Sequence, residues 1–136
     1  MQPEDAKRLA WCAMAEAYLR DARRIENSLP TRADLAFEAC YLWSLSLAKE
    51  VLEPLNHPDP AIFGLAADKL GWRQAEFAPA QMHLVTRLIP ECHGVLLDAL
   101  VPLAERLQSA VTAAAHATAT FSTNTKDKSH ASANRQ

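Results

Sequence analysis

Apolar residues recur along this chain at three- and four-residue steps, the spacing of helices with one buried face, and nothing reads as a strand. Trp11, Met14, Tyr18, Ala22 and Ile25 make one such stripe over a first helix, Pro3–Asn27, with Lys7, Glu16, Arg20, Arg23 and Arg24 on the other side. Pro3 suits a first helical turn, and Glu4 and Asp5 suit the positive end of the helix dipole. The break at Ser28-Leu29-Pro30 is short, so the next stretch, Thr31–Glu53, is predicted to return as the second arm of an antiparallel hairpin. Thr31 is the expected N-cap, Asp34 completes a capping-box-like start, and Pro54 is the stop.

The second helix is apolar around much of its circumference from Phe37 to Ala48. Such a helix lies at the centre of a bundle, or meets a partner as well as the core. Tyr41 and Trp43 are two positions apart, hence about 200° apart around the axis. With Phe37 they are the candidate interface residues, because large aromatics are enriched where proteins meet. A covering role for the short third helix over Trp43 is the alternative.

Beyond the loop Leu55–Pro60, Asp59 followed by Pro60 signals a helix start, and Gly71 signals the end of a short helix, Pro60–Leu70. Ile62, Phe63, Ala66, Ala67 and Leu70 are its apolar face. Trp72–Ala78 reads as a turn. Pro79 opens another helix whose apolar positions are Met82, Val85, Leu88 and Ile89, and Pro90 ends or kinks it. A last long helix runs from about Glu91 to about Ala117, on Val95, Leu96, Ala99, Leu100, Leu103 and Leu107, with Pro102 bending it. The expected fold class is all-α, an antiparallel bundle of four to five helices over residues 1–118. Residues 119–136, rich in Thr, Ser, Asn and Lys, are expected to form a disordered polar tail.

Composition narrows the functional classes. In 136 residues the net charge is −2, and the tail carries Lys126, Lys128 and Arg135 against Asp127, so neither part strongly attracts nucleic acid or an anionic membrane. The three cysteines, Cys12, Cys40 and Cys92, are far apart without a CxxC pair, which fits a reducing cytoplasm rather than a disulfide framework. No apolar run reaches the ~20 residues that span a bilayer. With three glycines there is no phosphate-cradling loop. His57, His83, Cys92 and His93 lack metal-ligand spacing, and no Glu-x-x-His marks a di-iron bundle. No cofactor or metal is expected.

One pair carries possible chemistry. Arg87 and His93 stand six positions apart, an arginine to neutralise a phosphate and a histidine to move a proton near neutral pH. His83 lies one turn before Arg87, so the three would cluster if Pro90 only kinks the helix. The bland reading of His83 is a solvated polar face. The basic cluster Arg20, Arg23 and Arg24 is interleaved with Glu16, Asp21 and Glu26, and reads as a salt-bridged surface rather than an RNA track.

The segments Ala15-Glu-Ala-Tyr-Leu-Arg-Asp-Ala-Arg-Arg24 and Ala33–Leu52 resemble the HEPN superfamily of small prokaryotic helical domains, as does the spacing of Arg87 and His93. The resemblance implies an antiparallel four- or five-helix bundle, often dimeric, in toxin–antitoxin or defence systems. Active members cleave RNA without metal, using an Arg and a His separated by four to six residues. Leu88, where active members usually carry a polar residue, and the interrupting Pro90 depart from that pattern and imply a non-catalytic member. The expected function is thus a cytoplasmic dimerisation or partner-binding module, a homodimer or the partner of another protein, with no membrane role. The alternatives are a metal-independent ribonuclease acting through Arg87 and His93, with RNA as partner, and a ligand- or metal-binding four-helix bundle.

Overall fold

The structure is a computed structural model that describes residues 2–48 and 57–135, with side chains described as far as Ala117. The described residues form five α-helices and no strand: α1 (Pro3–Ala22), α2 (Leu29–Leu47), α3 (Ala61–Leu70), α4 (Ala78–Thr86) and α5 (His93–Arg135). Single 3-10 turns at Gln74–Phe77 and Pro90–Cys92 lead into α4 and α5. The all-α bundle is as the periodicity predicts. The expected last turn of the second helix, with Val51, Leu52 and Pro54, lies outside the described residues, and so do the side chains of the polar tail expected at 119–136.

The α1–α2 hairpin forms as expected, with a different turn. α1 stops at Ala22, where Arg32 Nε donates to the Ala22 carbonyl at 2.8 Å and Asn27 Nδ2 donates to that of Asp21 at 2.9 Å. These bonds satisfy carbonyls that a helix end leaves orphaned. α2 starts at Leu29, so Ser28 rather than Thr31 is its N-cap; the Ser28 Oγ accepts from the Thr31 N–H, and Pro30 sits in the first turn. The buried stripe of α1 is Ala15, Leu19 and Ala22, whereas Met14 and Ile25 face solvent. Ala33, Ala36 and Ala39 of α2 are fully buried too, and α1 packs extensively on α2, where small side chains let two axes approach closely. Trp11 and Tyr18 fall at the edges of the contact, half-buried against the core.

α2 is the central element. Residues 39–46 are buried without interruption, because α1, α3, α4 and α5 all pack against this helix. Its two buried serine hydroxyls are satisfied within the helix: Ser44 Oγ donates to the Cys40 carbonyl at 2.8 Å and Ser46 Oγ to that of Trp43 at 2.6 Å. α5 lies across it with Leu96, Leu97, Leu100, Leu103, Ala104 and Leu107 inward, and Val95 turned out. α5 also runs antiparallel to α1, since Arg23 pairs with Glu105 at 2.7 Å while Cys12 and Glu16 lie beside Ala115 and Thr112.

α3 spans Ala61–Leu70, and the Asp59 carboxylate caps it by accepting from the Ala61 N–H at 3.0 Å. Gly71 closes it in the left-handed region (φ 68°), while the Trp72 N–H reaches back to the Ala67 carbonyl. The following turn buries Phe77, which meets Phe63 and Trp72. Arg106 of α5 closes over the Trp72 ring at 4.5 Å and bonds Glu76 at 3.0 Å.

Candidate functional site

The orientation of α4 follows from its anchors. Phe77, just before the helix, is fully buried, and Ala80 and His83 continue the same line at three-residue steps. At 100° per residue, Met82 and Val85 then fall on the opposite side. There they stay exposed at 56% and 76%, and the line continues into Leu88 at 89% and Ile89 at 45%. Hence α4 sits inverted relative to its predicted stripe: Met82 and Val85 meet solvent, while His83 enters the core and Leu84 packs against it.

His83 is held by two contacts with α2. Its Nε2–H donates to the Asp34 carboxylate at 2.7 Å, and its ring stacks on Phe37 at 5.0 Å between centroids. Nδ1 is buried with no hydrogen-bond partner among the described residues. Asp34 is therefore not the capping-box member its position suggests, and His83 is not part of a solvated face. One turn along α2, Glu38 binds His57 Nε2 at 3.1 Å. The two carboxylates at i and i+4 share a face of α2, and each secures a histidine from a later segment. Tyr41, on the same side, accepts from the Asp59 N–H at 3.1 Å and meets His57 edge-on. Burial pushes the Tyr41 hydroxyl up from its ordinary value, with the neighbouring Asp59 and Glu38 charges adding to the effect and the Asp59 N–H opposing it.

The α4–α5 elbow is rigidly bonded. The Ile89 N–H donates to the Thr86 carbonyl and the Cys92 N–H to that of Ile89. Ile89, which precedes Pro90, is extended (φ −106°, ψ 102°), as a residue before proline tends to be. Pro90 thus ends α4 rather than kinking a continuous helix, which breaks the expected cluster of His83, Arg87 and His93. Arg87 and His93 do meet, but through the backbone: His93 Nε2–H donates to the Arg87 carbonyl at 2.7 Å. His93 is 5% exposed and fastens the end of α4 to the start of α5, while Arg87 is exposed. Arg87 has no ion-pair partner among the described residues, and neither has Glu91.

Phe37, Tyr41 and Trp43, the interface candidates on α2, are buried at 3%, 0% and 2%. That assignment is corrected: these side chains belong to the chain's own core. Phe37 and Tyr41 pack on Phe63 of α3. Trp43 lies beside Cys12 of α1 and Val111 of α5. Four of the exposed large apolar residues instead follow one another along α4 and the elbow after it, while Leu9, Met14, Ile25, Leu29 and Val95 are exposed elsewhere. The four were visible in the sequence as Met82, Val85, Leu88 and Ile89, but periodicity alone assigns such a stripe to the core.

A groove of about 570 Å³ opens between α1, α2, α3 and α5, with Leu9, Leu47, Leu70 and Val111 as apolar walls and Arg8 and Lys69 beside them. Both cations engage neighbours of their own. Cys12 lines the groove, its thiol raised above the ordinary value chiefly by burial and further by Glu16, against the lowering influence of Ser46. No group of three or more His, Cys, Asp or Glu side chains able to hold a metal ion occurs among the described residues, and none of their helices is long and apolar enough to cross a membrane. No family model matches the chain, and no curated protein or solved structure matches it either.

Proposed function

We propose that this chain is a protein-binding module whose working surface is the outward stripe of α4, and that it is a non-catalytic bundle of HEPN-like type. The observation that carries the reading is the inversion of α4. Met82, Val85, Leu88 and Ile89 are exposed one after another along α4 and the elbow after it, while His83 lies on the inward side with Ala80 and Leu84. Large apolar residues standing singly on a surface are ordinary, whereas a contiguous line of them marks an interaction site. The elbow that presents the line is fixed by His93 and two backbone bonds, so the surface is preorganised and binding it loses little conformational entropy. His93 is engaged in that fastening. A ribonuclease built on Arg87 and His93 would require the ring to leave the Arg87 carbonyl before it could reach an RNA oxygen.

A photo-crosslinking residue at position 88, in the full chain within the cell that makes it, tests the reading. Illumination is expected to give one discrete protein adduct, with none from the same group at Arg73, whose side chain is 87% exposed on another element. A result with no adduct at 88, or the same adducts at both positions, would contradict it.

A further inference from the structure

The leucine seam of α5 runs out toward the start of α1. Leu100, Leu103 and Leu107 are buried at helical spacing, and the same line continues as Val111, Ala114 and Ala115. With alanine in place of leucine, the space between α5 and the first turns of α1 is left unfilled. The groove of about 570 Å³ is that space, walled on its other sides by Leu9 of α1, Leu47 of α2 and Leu70 of α3. A second cavity of about 340 Å³ adjoins it through Cys12, Val111 and Ala115 and reaches Trp43. The larger one falls within the range of roughly 300–1,000 Å³ that small-molecule sites occupy.

We propose that this groove binds a single aliphatic chain with a singly charged anionic head, a fatty carboxylate in chemical class. The site shares no residue with α4, so it goes beyond the binding-surface reading and does not rest on it. The walls select the body of the ligand. Among the described residues, none that lines the groove is aromatic, so a nucleobase or other planar ring finds no face to stack on. Apart from the charged residues, its polar side chains are Cys12 and Ser46, and the Ser46 hydroxyl is already given to the Trp43 carbonyl. A sugar or a peptide backbone would leave its own polar groups unpaired there, a cost that saturated hydrocarbon avoids.

The charged residues select the head. Arg8 and Lys69 stand with Asp5 beside the apolar walls, two cations against one anion, in a chain whose net charge is −2. One carboxylate matches that local excess, whereas a phosphate monoester, at roughly −1.5 to −2, exceeds it. Both cations engage neighbours, but a guanidinium and an ammonium each carry several N–H donors, so a ligand oxygen can join those neighbours without displacing them. Burial keeps the Cys12 thiol protonated at neutral pH, so it adds no negative charge against an entering anion.

Cys12 serves as the probe of occupancy, because it lines the groove and is half-buried; Cys92, also half-buried but in the α4–α5 elbow, is the control. Alkylation of the purified full chain by iodoacetamide is followed at both thiols by peptide mass spectrometry, with and without decanoate. Saturating decanoate is expected to slow Cys12 at least about fivefold and to leave Cys92 unchanged. Decyltrimethylammonium, the same chain with a cationic head, is expected to leave both rates alone. Ala114→Phe, which puts a ring into the groove from an exposed position, should abolish the protection, and Lys69→Glu, also exposed, should weaken it severalfold, with helical circular dichroism unchanged in both. No protection of Cys12 in the parent, or equal slowing of both thiols, overturns the site. Equal protection by the cationic chain, or by decanoate in Lys69→Glu, overturns the anionic head. Protection that survives Ala114→Phe places the ligand elsewhere and also overturns the proposal.

Discussion

At the residue scale, the buried Cys40, His83 and His93 side chains each bond one element to another. Cys40 is fully buried on α2, and its thiol donates to the Leu100 carbonyl of α5 at 3.6 Å. Burial pushes that thiol well above its ordinary value. The sign follows directly. Below the unfolded thiol value of about 8.5, both folded and unfolded chains keep the proton, and the group is neutral in its effect on pH dependence. Above it, the unfolded chain loses the proton and the folded one retains it, so stability falls as pH rises. Tyr41 adds a further loss above its unfolded value of about 10. Urea unfolding is expected to show a declining free energy from about pH 9 upward, less steep in Cys40→Ala, whatever that variant loses at pH 7. An equal slope in the variant would show that the thiol takes no part.

At the element scale, helix ends follow local chemistry closely. Gly71 takes the left-handed conformation that ends α3, and a Cβ there would touch nothing within 4 Å. Gly71→Ala is thus a test of backbone conformation alone, expected to cost about 1–2 kcal/mol by thermal or denaturant unfolding; no loss would mean that the turn relaxes. The Gly71 stop, the Asp59 cap and the apolar face Ile62–Ala67 were all legible in the sequence, because caps and helical spacing are local. The start of α2 was displaced because Thr31 and Ser28 are both cap residues, and it is the Ser28 side chain that accepts from a helix N–H. The stripe of α1 was displaced because alanine carries little hydrophobic weight, yet Ala15 and Ala22 are where close approach to α2 happens. α4 was the farthest from its pattern. Its outward stripe looks like a core face, and its rotation follows from Phe77 before it and from contacts with α2 that include Asp34, 49 residues upstream of His83, and Phe37.

At the scale of the whole molecule, α2 organises everything else, and its apolar circumference is explained by the helices packed around it. The candidate interface on Phe37, Tyr41 and Trp43 failed for that reason, since a sequence cannot tell a helix enclosed by its own chain from one shared with a partner. Asp34 and Glu38 on successive turns pin α4 and the segment before α3 through His83 and His57. The surface offered to a partner is then a consequence of the core: what turns His83 in turns Val85 and Leu88 out. Comparing thermal unfolding of Val85→Glu and His83→Ala, at concentrations where the parent is monomeric, tests this most directly. Val85→Glu is expected to melt within a degree or two of the parent, as an exposed substitution changes stability by no more than about 0.5 kcal/mol. His83→Ala is predicted to lose about 2–3 kcal/mol, or roughly 5–15 °C, through the cavity and the lost charge-assisted bond. A large loss in Val85→Glu with little change in His83→Ala would mean that α4 packs by its apolar stripe after all, and that no such surface is offered.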